Sequence, residues 1–182
     1  MPEPVSAANL SPSPPPPNKR LQGGPLAALI ATVVALTSAT LTEPNEGYSG
    51  KAYWDKYGKV WTQCFGETAG VDPSVIYSKK DCAVKLRARM ARDFAPALIK
   101  CVPDFAVPER KFAFGALLDG SYNAGPAAAC KSPMAKAFNA GNWTQGCTKF
   151  VGWYETAGGV RLPGLVRRRA EESKFCMTGK IR

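Results

Sequence analysis

At 182 residues the chain has room for one ordinary domain and a modest extension, and its 45% apolar content is that of a globular protein. Lysine and arginine number 24 against 14 acidic residues, a net charge of +10, which calls for an acidic partner or surface without choosing among nucleic acid, anionic lipid and anionic cell wall. The absence of histidine and of any CxxC pair argues against a metal site.

In chain order, residues 1–18 come first: MPEPVSAANLSPSPPPPN, with seven prolines in the first 17 positions. Such a segment buries too little apolar surface to offset its ordering entropy, so residues 1–22 are expected to be a disordered, Pro-rich cytoplasmic tail. Lys19 and Arg20 then precede an uncharged run from Leu21 to Thr42. Twelve of the sixteen residues from Leu26 to Leu41 are apolar, but five of the twelve are alanine. Residues 23–42 therefore read as a weakly hydrophobic membrane segment, long enough to span if its flanks take part. The basic residues before it keep the N-terminus cytoplasmic. A cleaved signal peptide is the rival reading, and a buried core helix the third.

Residues 43–182 form the remaining domain. Lys51 to Thr68 mixes aromatic, β-branched and glycine residues and predicts a hairpin or small sheet. Ser78 caps a predicted helix through Met90 or beyond, with Val84, Leu86, Met90 and Phe94 as apolar anchors. Further helices are predicted over Glu109–Tyr122, with Phe112, Phe114, Leu117 and Leu118 in the core, over Pro133–Phe138, over Thr144–Tyr154, and over a basic Leu165–Phe175. The fold class is α+β: a small β lobe, then several helices. The six cysteines, Cys64, Cys82, Cys101, Cys130, Cys147 and Cys176, fit disulfides in an oxidising compartment, with free thiols as the rival; about 15 pairings are open.

Two carboxylates, Glu46 and Asp55, bracket the start of the hairpin. A pair of this kind can cleave a glycosidic bond: one protonates the leaving oxygen, the other holds water or steadies the oxocarbenium-like state. Thr62 adds a hydroxyl that both donates and accepts, suited to positioning that water. Taken alone, the spacing also fits solvated surface charges.

The surrounding residues are more specific. Glu46-Gly47, Asp55, Gly58 and Trp61-Thr62-x-Cys64-x-Gly66-x-Thr68 resemble the active-site signature of glycoside hydrolase family 24, the phage-type lysozymes. Ser121-Tyr122-Asn123-Ala124-Gly125, Asn139-Ala140-Gly141-Asn142-Trp143, Trp153 with Gly158-Gly159, and Gly164-Leu165-Val166-Arg167-Arg168-Arg169 are similar to later blocks of that family, in order, over roughly residues 43–176. The resemblance implies a lysozyme-like fold with one N-terminal hydrophobic helix. It implies hydrolysis of the β-1,4 bond between N-acetylmuramic acid and N-acetylglucosamine, generally with inversion. Glu46 would be the general acid, Asp55 would activate water with help from Thr62, and Asn123 would contact substrate. Three departures stand out: six residues separate Asp55 from Thr62 where the family usually has five, Glu67 replaces a frequent histidine, and Pro44 lies two residues before Glu46.

The Ala/Thr/Ser/Gly-rich segment 23–42 resembles that of the signal-anchor-release endolysins of lambdoid phages. This implies an enzyme tethered to the host inner membrane, single-pass with its N-terminus in the cytoplasm, and later free in the periplasm. The expected partners are bacterial peptidoglycan and, through residues 23–42, the inner membrane; no nucleic acid, no cofactor and no metal are expected, and the protein should be a monomer. Arg161, Arg167, Arg168 and Arg169 are expected on a basic face drawn to the wall, with Glu171 and Glu172 pairing some of them along the helix. A lytic transglycosylase and an inactive wall-binding or membrane-anchored protein remain as alternatives.

Overall fold

The computed structural model describes residues 20–56 and 58–181. Most of the Pro-rich tail lies outside them. Arg20 and Leu21, at its expected end, are held: Arg20 Nη2 lies 2.6 Å from Asp104 Oδ1, and the Leu21 N–H donates to Ala106 O.

The apolar run forms α1 (Gly23–Thr37), which continues through a widened π-helical turn at Ser38–Thr42 into a short helical turn, α2 (Glu43–Asn45). Pro44 explains the widening. It has no N–H, and in a regular helix its ring would meet the carbonyl four residues back, at Thr40. The π turn absorbs that conflict, with the Glu43 N–H reaching Ser38 O and the Asn45 side-chain amide donating to Leu41 O. Helix therefore runs unbroken through the boundary expected at 42/43. The same device recurs where Met90–Phe94 forms a π turn just before Pro96.

Helix α1 does not stand apart from the rest of the chain. Leu29, Val33, Val34 and Leu41 are buried in the common core, each worth roughly 1.5–3 kcal/mol. Ala27, Ala28, Ala31, Thr32, Ala35 and Ala39 face outward. By length and composition, the helical stretch Gly23–Asn45 could also cross a membrane.

A hairpin follows, β1 (Ser49–Asp55) with β2 (Val60–Cys64), paired Tyr53 with Thr62, Trp54 with Trp61 and Asp55 with Val60. Then come α3 (Lys79–Arg89), α4 (Ala95–Cys101), α5 (Lys111–Ala124), α6 (Pro126–Lys131), α7 (Pro133–Asn139), α8 (Trp143–Thr148), a two-residue ribbon of β3 (Thr156–Ala157) and β4 (Val160–Arg161), and α9 (Pro163–Thr178). Ser78 caps α3 as expected, accepting from the Asp81 N–H. Phe114, Leu117 and Leu118 are fully buried on α5, the central helix, against which α1 and α9 pack.

Two expectations fail. Val84 is 56% exposed rather than a core anchor. The helix expected over Thr144–Tyr154 ends at Thr148, and the chain turns through Gly152 at φ +87°. The cysteines join Cys64 to Cys82, Cys101 to Cys130 and Cys147 to Cys176. The first bridge fastens β2 to α3, and each closes a loop whose cross-link contributes about 3–4 kcal/mol in the chain-entropy account.

Candidate active site

Glu46 ends the N-terminal helical run, where the backbone turns extended (φ −94°, ψ 136°) after its N–H bonds Thr42 O. Its side chain is 22% exposed, so it is reachable from solvent while its base is enclosed. Oε1 accepts from Arg168 Nη1 at 2.6 Å. Gly66 lies beside the carboxylate, its φ of +82° being a conformation that favours glycine; a Cβ there would make ordinary contact with Oε2 at 3.7 Å.

Arg168 is itself fixed from behind. Its Nε and Nη2 donate to the two carboxylate oxygens of Asp119 at 2.9 and 3.0 Å, a fork-on-fork contact. Thr42 donates to the same Asp119 at 2.8 Å, so the N-terminal helical run, α5 and α9 meet at one buried carboxylate. Burial works against the charge on both partners. The attraction of Asp119 and Glu46 nonetheless holds the Arg168 pKa above the ordinary arginine value, and Arg168 holds Asp119 below the usual carboxylate range.

Behind this pair sit Glu172 and Arg169, both fully buried. Arg169 Nη2 is 3.1 Å from Glu172 Oε1 and donates to Asn123 Oδ1 at 3.0 Å, and its guanidinium lies over the Trp153 ring. Burial and the negative charge of Asp119 push the Glu172 pKa well above the usual carboxylate value.

Arg168 and Arg169 thus correct an expectation: they are interior residues, not part of a surface patch for the wall. The expected pairing with Glu172 along the helix is present, as is a loose Arg167–Glu171 contact at 3.8 Å.

On the hairpin, the turn after Asp55 includes Lys59 at φ 51°. Asp55 pairs with Val60, two residues before Thr62, so the strand alternation puts Asp55 and Thr62 on one face of the hairpin. A Cβ on Gly58 would come 2.9 Å from Asp55 Oδ2, so a larger residue there would push the carboxylate aside. Thr62 is buried, its hydroxyl 3.4 Å from Val60 O.

Glu67, the third carboxylate in the neighbourhood, is occupied. Its Oε1 accepts from Arg89 at 2.8 Å and from the N–H groups of Thr68 and Ala69. Tyr122 donates to Phe65 O, and burial raises its pKa to about 12, so it stays a neutral donor. Asn123, half-buried at the end of α5, gives its carbonyl oxygen to Arg169.

Reasoning from sequence missed Asp119, Thr42 and Glu172 as parts of this site. A signal for Asp119 was present: it is the one charged residue between Phe112 and Ala124, inside an otherwise core-forming helix.

A mainly helical body, a small hairpin lobe and a carboxylate presented by a buried arginine define a lysozyme-like glycosidase. The chain belongs to the phage lysozyme family, whose model matches residues 43–172. It is similar to the SAR-endolysin of Pseudomonas phage phiKMV, 34% identical over 88% of this chain and 92% of that one. The SAR-endolysin of Bacteriophage PS119 is 29% identical, over 88% and 96%. In fold it is similar to the muramidase domain of SpmX from Asticaccaulis excentricus, with TM-score 0.67 and 23% identity over 81% of this chain and 95% of that one. The protein is an endolysin of the lysozyme type, a hydrolase acting on peptidoglycan.

Proposed function

We propose that Glu46 is the general acid of this endolysin, that Asp55 activates the attacking water with Thr62 beside it, and that Asn123 contacts the substrate. The bond cut is the β-1,4 link between N-acetylmuramic acid and N-acetylglucosamine. The observation that carries this reading is the 2.6 Å contact between Glu46 and an arginine whose other nitrogens are committed to buried Asp119. When Glu46 passes its proton to the glycosidic oxygen, negative charge develops on its carboxylate. An N–H already aimed at that oxygen stabilises the charge without reorganising. Asp55 and Thr62, on one face of the hairpin, supply an acceptor and a hydroxyl for water. Such a division of labour corresponds to inversion.

The same chain is tethered first and released later. Residues 23–42 span the inner membrane with the N-terminus in the cytoplasm, and the catalytic part, residues 43–182, faces the periplasm as a monomer. In support, the apolar stripe of α1 that fills the core is also what a bilayer would take up, and its outward face of alanine and threonine is tolerated in either place. Bilayer and core compete for one set of side chains.

Mass and NMR analysis of the released muropeptides tests the chemistry. Reducing ends of inverted anomeric configuration are expected, whereas 1,6-anhydro ends would make the protein a transglycosylase. Fractionation before and after collapse of the membrane potential tests the topology: the protein should move to the soluble fraction, and a chain that stays membrane-bound contradicts release.

A further inference from the structure

Of the four tryptophans, two are engaged within the fold: Trp143 is buried against Phe138 and Arg110, and Trp153 is covered by Arg169. The other two are not. Trp54 and Trp61 face each other across the hairpin, 50% and 43% exposed, with ring centroids 5.8 Å apart and planes at 75°. The register sets this pair on the face opposite Asp55 and Thr62. It is therefore on the outside of the lobe, away from the face that carries the proposed water-handling groups. Exposed Lys56 and Lys59 flank it in the turn.

We propose that this outer face of the hairpin is a second docking surface for peptidoglycan, which takes a neighbouring glycan strand rather than the strand being cut. The proposal rests on the reading of the protein as a peptidoglycan hydrolase. Pyranose rings present C–H-lined faces that stack on indole, and an edge-to-face pair forms a two-walled ledge instead of one flat plate. The stem peptides of peptidoglycan carry carboxylates, which complement Lys56 and Lys59. Because the wall is a network, a lobe that grips one strand on its outer face holds the enzyme beside the next.

A lipid surface is the competing occupant, and the order of residues along the hairpin disfavours it. Beyond Trp54 the sequence continues through Asp55, Lys56, Tyr57, Gly58 and Lys59 before it returns to Trp61. The rings could not reach the acyl boundary tip-first without driving a carboxylate and two ammonium groups ahead of them. A strand lying along the side of the hairpin meets no such obstacle.

The test uses the full chain carrying Glu46→Gln, so that the wall is not digested, and measures its retention on purified sacculi and on vesicles rich in phosphatidylglycerol. Adding Trp54→Ala and Trp61→Ala together should weaken sacculus binding about tenfold, whereas Trp54→Phe with Trp61→Phe, which keeps aromatic faces, should stay within about threefold of the parent. Lys56→Gln with Lys59→Gln should weaken binding to intact sacculi but not to sacculi stripped of stem peptides by an amidase. Unchanged sacculus binding in the alanine pair overturns the proposal. So does a loss confined to vesicles, which would make the patch a membrane contact. An equal loss in the phenylalanine pair would show a structural role and also overturn it. Hydrolysis by the chain without these substitutions is measured separately, so a protein that fails to cleave peptidoglycan but binds it through the tryptophans would refute the enzymatic reading and leave the surface standing.

Discussion

The two carboxylates proposed to act stand on differently built walls. The wall that carries Glu46 is interior: Arg168, Asp119, Thr42, Arg169 and Glu172 interlock across three helical elements. The wall that carries Asp55 is a two-stranded hairpin held to the body by the Cys64–Cys82 bridge, with its strand aromatics Tyr53, Trp54 and Trp61 all exposed. An isolated hairpin of two strands is marginal in water. The proposed proton donor thus stands on an interlocked set of buried charges, and the proposed water-handling groups on a hairpin fastened by a disulfide. Damage to the first wall should cost stability and activity together; damage to the second should cost activity alone.

The largest effect is expected at Arg168. Arg168→Met leaves Asp119 buried with no cation beside it, a loss of about 3–5 kcal/mol. In a chain of this size that is a fall of about 10 °C or more in Tm, to be read by calorimetry, together with loss of lysis. Asp55→Asn should separate the two properties: activity on permeabilised cells falls about a hundredfold or more while Tm moves by less than about 2 °C. A large Tm shift there would break the contrast between the walls.

Glu172→Gln probes the interior wall more gently. The folded protein binds a proton on Glu172 that the unfolded chain releases above its ordinary pKa of about 4.3. Native protein therefore holds more protons over that window. Stability should fall as pH rises from that value toward the raised folded pKa. The glutamine variant, which cannot ionise, should lose this slope, so that its Tm at pH 7.5 relative to pH 5 exceeds the parent's. Parallel curves for the two proteins would contradict a raised Glu172 pKa. The smallest effect belongs to Glu67→Gln, since that carboxylate is tied to Arg89 and two backbone N–H groups; activity should stay within about threefold in the turbidity assay.

The sequence carried the helical body well, because helices with Phe114, Leu117 and Leu118 at buried spacing announce themselves, and Ser78 is a strong cap. The ordered blocks around Glu46 and Asp55 carried the family resemblance, which the match over residues 43–172 bears out. Its supporting charges were less legible. Periodicity reads arginine as solvent-facing, and only the fold reveals that two arginines of α9 lie inside against Asp119 and Glu172. The ending of α8 was missed because a glycine turn beyond Thr148 competes with an apolar pattern that would otherwise continue. The N-terminal run posed a different problem: one stripe of Leu and Val serves a bilayer and a protein core alike, and composition alone cannot separate them.

The most direct test of the account is the rate of turbidity clearing of outer-membrane-permeabilised cells by Glu46→Gln, with its Tm recorded alongside. The account predicts a loss of about 10²–10⁴ in rate with the fold retained, the range that a positioned general acid supplies. A folded Glu46→Gln protein that clears cells within about twofold of the parent would contradict it.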